Sequence, residues 1–242
     1  MTTALATGRS GTGVLAPAIR AVGFVSGWGK GLGAIPTDAR AAAGGREVVP
    51  LGRPAVEGER FRRATRECLW ALAAIELMLE DSAVDRATLA GERTALLFVT
   101  AAVYGASNRA FIEGSGGGTH FAYTAPAVVS AEAAIEFGLQ GPAALFIGGP
   151  PATLRAIWYA ATLLAGGTCD RALVLAVETF AECADLYAPR AAAQRAALVE
   201  AAACAWLEPG RGGSSSEAAA APRSPRRHRA PPRRDLRLRA AR

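Results

Sequence analysis

Hydrophobic residues fall along this chain in short blocks, interrupted by longer stretches with helical spacing. Residues 19–25 form the first block and predict a short strand, stopped by Ser26, Gly27, Trp28 and Gly29. A polar stretch containing Gly and Pro runs from there to about Glu59. Over residues 61–81, Cys68, Leu69, Leu72, Ile75, Leu77, Met78 and Leu79 predict one helix with a broad apolar face. Three strongly apolar runs follow, at residues 94–99, Ala143–Ile147 and 172–177. Each is too short for an independent helix and lacks polar alternation, the pattern of strands covered on both faces. Helices are expected at 126–137 and 153–165, and a last strand at 202–207. Strands alternating with helices in this way predict an α/β layered fold.

The helix over 153–165 carries a single charge, Arg155, and is apolar around most of its circumference. A surface helix keeps a polar face, so this one is expected to be buried on nearly all sides. Its cover comes either from the amino-terminal elements or from another polypeptide.

Composition adds a core and removes several functions. With 51% hydrophobic and 20% charged residues, the chain has the make-up of a globular domain. Its formal charge of +6 is unevenly placed: from Gly210 onward ten Arg stand against Glu217 and Asp235, and the body is slightly acidic. Ser, Ala, Pro and Arg dominate that segment, which is expected to be a disordered Arg/Pro-rich tail over 210–242. It lacks the aromatic interleaving of a stacking platform, so specific nucleic-acid binding is not expected. Residues 1–18 read as a flexible leader and 19–209 as the folded domain. Arg9 and Arg20 interrupt the apolar start, and the uncharged span 137–154 is broken by Gly138, Gly141, Pro142, Gly148, Gly149, Pro150 and Pro151. Neither a signal peptide nor a membrane helix is expected, and the expected compartment is the cytoplasm. Cys68, Cys169, Cys183 and Cys204 are scattered, and the two histidines, His120 and His228, are far apart. No metal and no cofactor are expected.

Motifs that invite a catalytic reading fail on their spacing. Lys30 follows Gly29, but Phe24 stands at the first P-loop glycine and Gly31 at the Ser/Thr position; Leu32 breaks a dinucleotide fingerprint. Residues 113–118 do not satisfy the nucleophile-elbow pattern and read as a loop. His120 has no nucleophile marked beside it, although a different chemistry using it as a base stays open.

Residues 19–208 resemble the amino-terminal half of the β-ketoacyl synthase family. Residues 134–142 (Ala-Ile-Glu-Phe-Gly-Leu-Gln-Gly-Pro) resemble the helix end and turn before the family's nucleophile strand. Residues 167–174, with Glu178 beyond them, resemble its G-x-x-D-x-A-L-V segment and following Glu. Residues 200–208 match its E-G-A-G-rich strand in length, with Ala at both glycines. The resemblance implies a thiolase-like fold, a mixed β-sheet layered with helices.

The resemblance also implies where the chemistry is lost. Counted from Gly141 and Pro142, the family's active-site cysteine falls on Pro150, which has no nucleophile and no N–H for an oxyanion hole. The family's two catalytic histidines and its lysine lie in its carboxyl-terminal half, beyond the segment that 19–208 resembles. The implied role is a non-catalytic subunit of the chain-length-factor kind, as in type II polyketide and aryl-polyene systems. Its implied partner is an active ketosynthase in a heterodimer, with acyl carrier protein met through the complex. Ala143, Ala144, Leu145, Phe146 and Ile147 would be the interface strand, and His120, Phe121, Tyr123 and Thr124 a wall beside the partner's acyl pocket. The alternative reading is a truncated or frameshifted remnant of a β-ketoacyl carrier-protein synthase, suggested by the Arg–Pro–Ala character of the tail.

Overall fold

The computed structural model describes residues 16–54, 61–62, 64–114, 118–187 and 197–210, without the side chains of 118–120. The proposed leader lies mostly, and the tail almost wholly, outside the described residues.

Strand β1 (Ala18–Ser26) turns through Gly27 and Trp28 into the two-residue β2 (Gly29–Lys30), with Ser26 opposite Gly29. The glycines that invited phosphate-loop readings therefore close a hairpin. After a short helix α1 (Ala39–Ala43) and β3 (Val48–Val49) comes the long helix α2 (Arg66–Ser82). It starts five residues later than its apolar pattern suggests, because Thr65 leaves the helical backbone region and its hydroxyl caps the Cys68 amide. Then follow β4 (Thr94–Thr100), α3 (Gly105–Ile112), a 3-10 segment (Gly118–Thr124) and α4 (Ala127–Phe137). Strand β5 (Ala143–Ile147), helix α5 (Pro150–Ala165), β6 (Arg171–Glu178), β7 (Leu198–Val199) and β8 (Ala201–Glu208) complete the order.

Six strands make one mixed sheet in the order β2-β1-β8-β6-β4-β5. β5, β4 and β6 run parallel, whereas β8 is antiparallel to both β6 and β1. β3 and β7 form a separate parallel pair.

The alternation of β4 divides the core in two. Leu96 and Phe98 point into a cluster with Leu72, Ile75 and Met78 of α2 and Val129 and Phe137 of α4. Ala95, Leu97 and Val99 point to the opposite face, against Ala152, Ala156, Ala160 and Leu164 of α5. The result is a layer of helices, a sheet and a second helical layer. α2 lies so close to β1 that a Cβ at Gly23 would sit 2.1 Å from the Ala74 carbonyl oxygen.

Two expectations about cover are corrected. β4 is buried along its whole length, but β5 is exposed at both ends and half-buried between, because it lies at the sheet edge. Helix α5 is not wrapped by the described amino-terminal elements. Its Ala stripe faces the sheet, while Leu154 and Trp158 are 69% and 68% exposed. α5 also begins three residues earlier than expected, since a proline pair fits a first helical turn, where N–H groups lack intrahelical partners anyway.

Candidate functional site

Strands β4 and β5 end side by side, with Thr100 opposite Ile147. Beyond that pair the Gly148 amide donates to the Thr100 carbonyl at 2.9 Å, tying the two carboxyl ends together. Gly148 has φ 142°, a conformation that favours glycine, and turns the chain out of the strand. Gly149 is the N-cap of α5, with no side chain to cap it, and Pro150 and Pro151 open the first turn, both exposed.

The amino terminus of a helix normally offers free N–H groups to an anion or a developing negative charge. Pro150 and Pro151 have none to offer, and the next amide, of Ala152, donates to the Gly149 carbonyl at 2.8 Å. The turn thus carries no nucleophilic side chain, and its leading helical positions donate nothing.

The four residues expected to form a wall lie on the 3-10 segment that follows α3. Phe121 is 61% exposed, and its ring packs on Phe111 of α3 with centroids 5.3 Å apart. Tyr123 packs against the larger core cluster. Thr124 donates from its hydroxyl to the Phe121 carbonyl at 2.8 Å and accepts at its own carbonyl from Asn108 of α3 at 2.9 Å. The His120 side chain lies outside the described residues. Phe121 and Thr124 are therefore held by α3, a helix whose Gly-Ala-Ser-Asn start gave little sequence signal, and Tyr123 by the core.

Two carboxylates that sequence reasoning left without a role organise the same end of the sheet. Glu178, last in β6, accepts from the amides of Ala101 (2.5 Å) and Ala102 (2.9 Å), with the Thr100 hydroxyl at 3.4 Å. Burial pushes its carboxyl up to about 7, against the pull of those donors. Glu200, just before β8, accepts from the amides of Leu51, Phe180 and Ala181, each at 2.7 Å, and from Arg66. Both sit at the end of an apolar run, where a carboxylate must find partners to be buried; that was the available signal. Arg66 also lines an open cleft of about 290 Å³ with Arg53, Thr65, Glu67, Ser107 and Glu182. Its charge is already matched by Glu200 and Glu182.

The family model "Beta-ketoacyl synthase, N-terminal domain" matches residues 53–208. The chain belongs to the β-ketoacyl synthase family. No curated protein matches its sequence. Among solved structures it is similar to the ishigamide ketosynthase/chain length factor, with TM-score 0.61 and 21% identity over 80% of this chain and 62% of that one. It is similar to a type II polyketide synthase complex of acyl carrier protein and ketosynthase, AntDE:AntF, with TM-score 0.61 and 19% identity over 81% of this chain and 63% of that one. It also resembles the complex of the ketosynthase ApeO with its chain length factor ApeC from Xenorhabdus doucetiae, with TM-score 0.58 and 13% identity, covering 82% and 81% of the respective chains. The chain spans about three fifths of the first two of these structures. All share its mixed sheet layered with helices, the ketosynthase-like fold. Among the described residues no group of three His, Cys, Asp or Glu is placed to hold a metal ion, and no helix is long and apolar enough to cross a membrane.

Proposed function

We propose that this chain is a non-catalytic, chain-length-factor-like subunit that pairs with an active β-ketoacyl synthase in polyketide or fatty-acid-type biosynthesis. The observation that carries this reading is Pro150 at the first position of α5, where the resemblance would place the nucleophilic cysteine. A ketosynthase without that thiol has no atom to receive the acyl group from its thioester. The open edge of β5 and the exposed apolar face of α5 support the partnership, because large apolar patches on soluble domains mark association surfaces. The complexes named above, of ketosynthases with chain length factors and with acyl carrier protein, are in keeping with such an assembly. In it, Ala143–Ile147 lies at the interface, and Phe121, Tyr123 and Thr124 pack beside the partner's acyl pocket.

Co-expression with a full-length ketosynthase encoded nearby tests the assembly. The two proteins are expected to co-purify in equal amounts, and Ile147→Asp with Trp158→Asp is expected to abolish this while preserving the circular dichroism spectrum. A well-behaved monomer without affinity for such a ketosynthase overturns the pairing. Condensation of acyl and malonyl carrier-protein substrates by this chain alone overturns the loss of catalysis.

A further inference from the structure

Glu178 faces a single stretch of backbone. Its two oxygens take the amides of Ala101 and Ala102 separately, Oε1 at 2.5 Å and Oε2 at 2.9 Å. The Thr100 hydroxyl stands near Oε2 and itself accepts from the Val103 amide at 3.0 Å. The stretch leads directly into α3, whose Asn108 and Phe111 hold Thr124 and Phe121. Upstream, the Thr100 carbonyl accepts from Gly148. One carboxylate thereby fixes the loop between the turn before Pro150 and the helix whose Phe111 packs on Phe121.

We propose that Glu178 is a proton-operated clasp on the β4–α3 loop, holding residues 100–102 tightly as a carboxylate and loosening its hold when protonated.

The reason is the loss of charge. A carboxylate gives each amide a charged acceptor of its own, Oε1 for Ala101 and Oε2 for Ala102. Protonation leaves both oxygens able to accept but removes the charge, and one oxygen now also carries a hydrogen that needs an acceptor. Charge-assisted bonds are about twice as strong as neutral ones, so the hold on both amides weakens. Burial brings this change close to neutrality by raising the carboxyl to about 7.

The titratable groups facing the clasp are those around Tyr187, whose hydroxyl donates to the Ala101 carbonyl at 3.1 Å. Burial raises that phenol to about 12, with Cys183, Tyr104 and Glu178 adding to the rise. Burial likewise raises the Cys183 thiol. From β8 the register partner is Ala201, which does not titrate. The clasp stands independently of any partner protein.

Amide exchange at Ala101 and Ala102, measured on the full chain and corrected for intrinsic base catalysis, tests it. Protection is expected to fall about tenfold on acidification, the scale of one lost charge-assisted bond, with a midpoint near that of Glu178. Glu178→Gln is expected to keep the lower, acid-form protection at these amides throughout and to show no midpoint. The carboxyl carbon shift of Glu178 in the wild-type chain reports the titration directly, whether or not the Gln variant folds. His120→Ala and His228→Ala are expected to keep the midpoint. A flat protection profile between about pH 5 and 8, a Glu178 midpoint in the ordinary glutamate range, or a midpoint that disappears with either histidine overturns the proposal.

Discussion

Arg66, the first residue of α2, seats its guanidinium on the fully buried carboxylate of Glu200, with Nη1 at 2.6 Å from one oxygen and Nη2 at 2.7 Å from the other. The pair joins the start of a helix to the start of β8 across 134 residues of sequence. Truncating Glu200 to Ala strands a largely buried guanidinium together with the amides of Leu51, Phe180 and Ala181. Breaking a buried pair from one side costs about 3–5 kcal/mol, read as a lower urea midpoint at unchanged slope. A loss below about 1 kcal/mol, the value of an exposed pair, would contradict the burial described here.

The two clasping glutamates respond to pH in opposite directions. Burial alone would raise Glu200, but Arg66 and the backbone donors outweigh it, and its net direction is down. A depressed carboxyl stabilises above the unfolded value of about 4.3 and loses that contribution as pH falls. Glu178 is raised to about 7, so its contribution is complete in acid and lost as pH rises through neutrality. Glu178→Gln, which cannot ionise, is therefore expected to gain on the wild type between pH 5 and 8, by up to roughly 3 kcal/mol. Denaturation curves across that range check it; a constant difference between the two proteins would refute the sign.

Pro150→Cys probes the turn without asking for catalysis. The position is exposed at a helix amino terminus, where a thiol is acidified and reactive. The introduced thiol is expected to be alkylated by iodoacetamide in the native protein, while the buried Cys68, Cys169, Cys183 and Cys204 react only after unfolding. Peptide mapping distinguishes these sites, and an unreactive thiol at this position would mean that the turn is covered.

Gly23→Ala tests how tightly α2 lies on β1. The new methyl would approach the Ala74 carbonyl oxygen to 2.1 Å and the Met78 amide nitrogen to 2.5 Å, both backbone atoms of one helix. Neither can rotate away. The expected cost is about 3 kcal/mol, the upper part of the overpacking range, measured by thermal or urea denaturation.

Much of this architecture was legible in the residues. The apolar runs at 94–99, Ala143–Ile147 and 172–177 all became strands, because a continuous apolar run that short has few alternatives in an α/β chain. Their neighbours were not legible. Nothing in residues 201–208 says that this strand inserts antiparallel between β1 and β6, since pairing partners are chosen by long-range packing. Ala143–Ile147 is as continuously apolar as 94–99, yet one lies at the sheet edge and the other between two strands, because hydrophobicity alone does not encode a strand's place in the sheet. At the turn, the lack of a nucleophile and of an N–H at Pro150 could be read from one residue type. That Glu178 and Glu200 need partners could be read from their places at the ends of apolar runs, but which partners could not, because most are backbone amides, which every sequence has.

The edge of β5 separates two properties that an interface usually combines. Its five residues carry no charge and no proline, and among the described residues the strand pairs only with β4. Main-chain groups on such an edge bond to any extended segment of suitable length, so they supply affinity without choice. In the proposed pairing, discrimination would then come from exposed side chains, among them Leu154 and Trp158 on α5. If the chain pairs as proposed, exchanging those two residues for others of similar size would change which companion it accepts without altering a single backbone bond.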